Sequence, residues 1–167
     1  MGTPFHFELV TPERVLFSGD ADAVSLRTVE GEITFLARHE DYVGVADETV
    51  VRISALGDEA VGGAERERTE LRAAVHSGLV HVDREGVVIL AGVAELGSEI
   101  DVDRARAALV AAEARLAEAA PAPEPGAPDG GEGPGSTARA DPPGISPEDA
   151  VRREKVRLEA AGSTAQT

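Results

Sequence analysis

Residues 98–109, SEIDVDRARAAL, place a carboxylate and a guanidinium three residues apart, Asp101 and Arg104, where β-branched residues give way to alanine. At helical spacing the two share a side, and the arginine could grip an anion. Helix capping with surface charge accounts for Asp101 equally well, without any ligand. A second cluster, Arg152, Arg153, Lys155 and Arg157, is the densest positive patch of the chain and stands among Glu148, Asp149, Glu154 and Glu159. It reads either as a solvated face or as a surface for an acidic partner. His76 and His81 are an odd number apart, so on one continuous strand they would face opposite ways, which argues against a shared metal. GGEGPG lacks the strand, lysine and helix of a phosphate-binding loop. No Ser-His-Asp or paired-carboxylate spacing defines a catalytic site.

The chain of 167 residues has room for one core with an appendage. Hydrophobic residues make up 42% of it and aromatic residues 3%, so that core is built from Val, Leu, Ile and Ala with a few Phe. A net charge of −15 repels a phosphate backbone and argues against nucleic-acid binding. Without cysteine there is neither a disulfide framework nor a thiolate site. No stretch reads as a signal peptide or a membrane span, so the expectation is a soluble chain that meets a membrane only through partners.

From Phe5 to about Leu96 the hydrophobic pattern has period two. FHFELV sets Phe5, Phe7 and Leu9 against His6 and Glu8, and TELRAAV sets Thr69, Leu71, Ala73 and Val75 against Glu70, Arg72 and Ala74. Turn signals fall at Thr11-Pro12, Ser18-Gly19-Asp20, Glu30-Gly31, Gly57-Asp58, Gly62-Gly63 and Glu85-Gly86. Strands punctuated this often leave no room for parallel crossovers, so the prediction is a mostly β chain with an antiparallel sandwich over residues 4–97.

At Ser98 the period changes. Val102, Ala105, Leu109, Ala112, Leu116 and Ala119 fall on one helical stripe, predicting a first helix over 98–120 with Ser98 as cap and Ile100 stapling it to the sandwich. The stripe is mostly alanine and buries little, so docking is expected to be weak. Residues 121–147 hold eight of the ten prolines and no aromatic residue, which predicts a disordered linker over 121–146. ISPED then opens a second helix over 147–161, with Ser146 as N-cap and Pro147 in the first turn. Its apolar side is expected to run through Val151, Lys155 and Leu158, too thin to hold the helix without a partner surface.

FHFELVTPERVLFSGDADAVSLRTVEGEITFLARH resembles the opening of the epsilon subunit of bacterial F-type ATP synthases. VHSGLVHVDREGVVILAGVAE resembles that family's hairpin and last strand, and IDVDRA its Ile-Asp-x-x-Arg-Ala helix start, so the likeness covers residues 5 to about 118. Ala37 and Arg38 stand where the family often has Pro-Gly before His39, Glu40-Asp41-Tyr42 follows in place of a more apolar run, and Ser77-Gly78 replaces Gly-Gly. The linker stands where the family has a short turn.

The resemblance implies a non-catalytic rotor subunit of the central stalk, coupling ion flow through the c-ring, proton or sodium, to ATP synthesis. The sandwich would join the gamma subunit to the c-ring, with Glu30, Gly31 and His39 at the rotor contact. The helices would brake hydrolysis through Arg152, Arg153, Lys155 and Arg157 against the catalytic alpha and beta subunits. It implies further a regulatory ATP site on Glu95, Ile100, Asp101, Arg104, Ala105, Arg153 and Arg157, since three guanidiniums can pair with a triphosphate. It requires no resident cofactor, no metal, no nucleic acid and no membrane insertion, and it sets the chain on the cytoplasmic face of the cell membrane. Residues alone leave open a stand-alone β-sandwich protein-binding module with a disordered acidic tail, or a small hydrolytic enzyme.

Overall fold

A computed structural model describes residues 3–57, 68–119 and 146–162. The predicted linker, Ser146 excepted, and the glycine turns at 58 and 62–63 lie outside the described residues. Nine strands precede two helices: β1 Phe5–Val10, β2 Val15–Thr28, β3 Gly31–Phe35, β4 Tyr42–Ala46, β5 Thr49–Leu56, β6 Arg68–Val75, β7 Gly78–Val82, β8 Gly86–Ala91, β9 Ala94–Leu96, α1 Val102–Ala119 and α2 Pro147–Ala160. The mostly β sandwich with two C-terminal helices agrees with the expectation. Among the described residues no helix is long and apolar enough to cross a membrane.

The hydrogen-bonded order is β1-β8-β7-β4-β2-β5-β6-β9, with β3 on β2. Strand β2 joins the layers: Val15 to Ala21 pair with β1, a bulge follows between Ala21 and Ala23, and Ala21 to Ser25 pair with β5. A bulge bends a strand and sharpens its twist, which lets one fourteen-residue strand serve both layers. Ser18-Gly19-Asp20 is therefore not a turn: it pairs with Glu8, Phe7 and His6 within the β1–β2 ladder. Pairing is antiparallel except between β1 and β8, which run parallel. That pair closes the sandwich between strands distant in sequence, a joint that local turn spacing does not reveal.

Phe7, Leu9, Val24, Phe35, Ile53 and Ile89 are fully buried at the centre. The scarcity of aromatics is met by placing Phe7 and Phe35 here, Phe7 stacked on Phe17 at a ring-centroid distance of 5.6 Å. Gly31 takes φ 133° in the β2–β3 turn, a region that favours glycine. Arg38 takes φ 62°, so the loop keeps a left-handed turn where the family often has glycine although this chain carries a long side chain there.

The helices correct three expectations. The first begins at Val102, and its N-cap is Asp101, whose Oδ1 accepts from the Arg104 N–H at 3.0 Å; Ser98 lies in a 3-10 turn, Gly97–Glu99. Asp101 thus does the work its bland reading assigned. Lys155 is exposed, and the inner face of α2 is Val151, Val156, Leu158 and Ala160. Third, α2 is the helix that touches the sheet. It lies on β5 and β6 and is covered in turn by the alanine stripe of α1. Small residues at Ala105 and Ala112 let the helices approach closely, while Leu109 and Ile100 complete the cluster. Ser146 caps α2 as predicted, its Oγ accepting from the Asp149 N–H at 3.1 Å.

Candidate functional site

Two surfaces stand out, one beneath α2 and one on the opposite layer. Val50 and Ala74, which period two turns away from the sandwich core, are buried against α2. Ala74 was expected on the polar side; α2 covers it instead. Around this apolar seat the basic side chains of α2 meet acids. Arg157 donates from Nε to Glu95 Oε2 at 3.1 Å and from Nη1 to Glu154 Oε2 at 3.0 Å. Arg152 approaches Asp47 and Glu48 of the β4–β5 turn at 3.9 and 3.8 Å. Lys155 approaches Glu113 of α1 at 3.9 Å, and Glu159 accepts from Arg52 of β5 at 2.9 Å. Opposite charges thus line both edges of the helix. Arg14, in the β1–β2 turn, pairs with Glu99 just ahead of α1, holding that carboxylate below its ordinary range chiefly through their hydrogen bond.

The same junction contains polar groups that are not satisfied. Among the described residues, four buried side-chain atoms lack a hydrogen-bond partner; three of them, Glu48 Oε2, His76 Nδ1 and Arg153 Nε, belong to this region. His76 sits in the corner between β6 and β7. Burial, with Arg153 and then Arg157 nearby, pushes its imidazole down to about 4 from the ordinary 6.5. Burial raises the Glu48 carboxyl, against the pull of Arg152. His76 and His81 lie on different elements, so their odd spacing along one strand does not apply.

The structure brings some predicted ligand residues together and leaves others apart. Glu95 and Arg157 are joined directly, and Ile100 and Ala105 share the apolar cluster of α2. Arg153 is partly buried on α2, whereas Arg104 is exposed on the first turn of α1 and Asp101 is engaged in its cap. Arg157 is already matched by two carboxylates. The predicted rotor residues also separate. Glu30 and Gly31 form the β2–β3 turn, held by Thr28 Oγ1, which donates to the Gly31 carbonyl at 3.1 Å and accepts from the Glu30 N–H at 3.2 Å. His39 follows the other end of β3, its ring packed edge-on to Phe35 at 5.0 Å. Strand β3, Gly31–Phe35, separates them, its length roughly 13 Å at about 3.3 Å per residue.

The second surface was not singled out from sequence. On β4, β7 and β8, Val45 pairs with Leu79 and Leu79 with Leu90, forming one outward row across three strands, with Val43 two residues along from Val45. These four side chains are 48%, 43%, 49% and 65% exposed in that order. The signal was present: YVGVA and GLVHV put apolar residues on both faces, as a strand covered on both sides does.

The class is that of an all-strand sandwich with one face covered by its own helices and another carrying a row of exposed apolar residues. The chain belongs to the ATP synthase delta/epsilon chains: their β-sandwich domain matches residues 4–97. It is 49% identical over 108 residues to the ATP synthase epsilon chain of Thermobifida fusca, covering 64% of this chain and 72% of that one. The epsilon chain of Brevibacillus brevis is 41% identical over 111 residues, covering 66% and 76%. A chain in the cryo-EM structure of the Euglena gracilis mitochondrial ATP synthase, OSCP/F1/c-ring, shares the fold at a TM-score of 0.62 and 23% identity, covering 95% of this chain and 81% of that one.

Proposed function

We propose that the chain is the epsilon subunit of an F-type ATP synthase, a non-catalytic part of the rotor. The open row Val45, Leu79 and Leu90 supports this best, because a sheet face that apolar gains stability once a neighbour covers it. The sandwich joins the gamma subunit to the c-ring and passes rotation between them; its close-packed interior deforms little under load. Glu30 and Gly31 at one end and His39 at the other give the head two separated contact points. The enzyme it serves moves protons or sodium ions, and the subunit sits peripherally on the cytoplasmic face of the cell membrane. The test is co-purification with gamma. Wild-type chain should bind at one-to-one stoichiometry and Leu79→Asp should not; equal binding by both would remove the assignment of this face.

In the same reading α2 is a brake that leaves the sandwich to reach the alpha and beta subunits through Arg152, Arg153, Lys155 and Arg157. Deleting residues 121–167 should raise ATP hydrolysis by the assembled enzyme, and unchanged hydrolysis would sink the brake. ATP binding at Glu95, Ile100, Asp101, Arg104, Ala105, Arg153 and Arg157 would require phosphate to displace Glu95 and Glu154 from Arg157, a competition that weakens affinity. Titration of ATP into the isolated subunit, with Arg104→Ala as control, measures it; no response at millimolar nucleotide removes the site.

A further inference from the structure

His76 is a buried titratable group that the rotor reading does not use. It is 8% exposed, its Nδ1 has no hydrogen-bond partner, and it directly follows β6, one of the two strands on which α2 rests. From α2 it is faced by Arg153 and Arg157, the latter tied to Glu154; from β9 comes Glu95, which holds Arg157, and from the β4–β5 turn Glu48, which faces Arg152 and Arg153. Glu95 and Glu154 are committed to Arg157 and Glu48 lies against Arg152, so among the described residues no carboxylate pairs with His76. We propose that this junction is a proton-sensitive latch: protonating His76 sets a third cation against Arg153 and Arg157 in a buried space and releases α2 from the sandwich. The proposal rests on the reading of α2 as a detachable arm, but it concerns docking within the isolated chain and not assembly into a synthase.

The direction follows from which state holds the proton. Burial and the two arginines disfavour the imidazolium while α2 is docked, and undocking returns the ring toward its ordinary value. A group whose value is depressed from 6.5 to about 4 supports docking fully above 6.5 and loses that support as the pH falls from 6.5 toward 4. Glu48 acts in the opposite sense, since burial raises its carboxyl and favours a proton in the docked state. Its effect begins at the ordinary 4.5 and runs upward, so the His76 contribution is read as the difference between wild type and His76→Gln, which share Glu48. Between pH 7.5 and pH 5 the docking equilibrium constant should fall about thirtyfold.

The chain has no cysteine, so Glu32→Cys and Glu148→Cys give a unique dye pair on exposed positions of β3 and α2. Energy transfer in the full-length chain should fall between pH 7.5 and pH 5, and in the His76→Gln background it should stay within about threefold of its neutral-pH equilibrium. A flat wild-type profile, or an unchanged profile in His76→Gln, overturns the latch. Should His76→Gln fail to dock, the wild-type His76 ring followed by NMR decides: a midpoint well below 6 supports the latch, and one near 6.5 overturns it. Loss of gamma binding with an intact pH response would fault the rotor assignment and leave the latch standing.

Discussion

The outer faces of the two layers both carry apolar residues, and these have opposite fates. On β5 and β6 the outward Val50 and Ala74 are buried because the chain supplies its own cover, α2. On β4, β7 and β8 the outward Val45, Leu79 and Leu90 stay open. Similar apolar residues thus form an intramolecular seat in one layer and stay uncovered in the other. The charge pattern differs as well. The α2 seat is fringed by ion pairs reaching Asp47, Glu48, Arg52 and Glu95. Most of these are half-exposed and individually weak. The seat thus combines an apolar contact with a weak ionic rim.

The comparison breaks most sharply at Leu158, which is 1% exposed in the cluster beneath α2. Leu158→Ala should cost docking about 2–4 kcal/mol through lost contact and the cavity left behind. Hydrogen exchange should then accelerate along α2 and α1 while β1, β7 and β8 keep their protection. A uniform loss across the sandwich would mean that the arm and the head are one cooperative unit.

Gly97 comes next. A methyl group at this position would overlap the Ala160 carbonyl at the C-terminal end of α2. Gly97→Ala should therefore lift that end at a cost of about 1–3 kcal/mol, seen as faster exchange at Arg157 to Ala160 than at Val151. A smaller effect belongs to Arg152. Its side chain is about half exposed and lies 3.8–3.9 Å from its acidic partners, so Arg152→Ala should weaken docking by about 0.5 kcal/mol, and 0.5 M salt should erase the difference between variant and wild type.

These differences show what could be read from sequence and what could not. The strands, the helix stripe and the Ser146 cap depend on local spacing, and local spacing is what the chain displays. The β1–β8 pairing joins residues some eighty positions apart and has no local signature. The error at Ser18-Gly19-Asp20 arose because turn-forming residues also suit a strand that bends near a bulge. For Lys155, a long aliphatic stem at helical spacing looked like part of the apolar side, but the ridge of α2 that meets the sheet passes through Val156. Within the candidate site, the Glu95–Arg157 pair followed from family likeness. His76, Glu48 and Glu154 did not, because their importance comes from burial, which appears only when three elements converge.

The smallest expected effect tests the other half of the comparison. Leu79→Ser exchanges an apolar side chain for a short polar one on a face that water already reaches, and the core neighbour Val80 points the other way. The unfolding free energy of the isolated chain should change by less than about 0.5 kcal/mol, measured in urea. The reason is that position 79 stays 43% exposed in the folded chain while the unfolded ensemble already buries part of its apolar surface, so little apolar transfer is lost. A loss as large as that at Leu158 would mean that this face is covered within the isolated protein itself, by residues outside those described or by a second copy. A concentration series separates those two cases, because only the second copy makes stability depend on protein concentration.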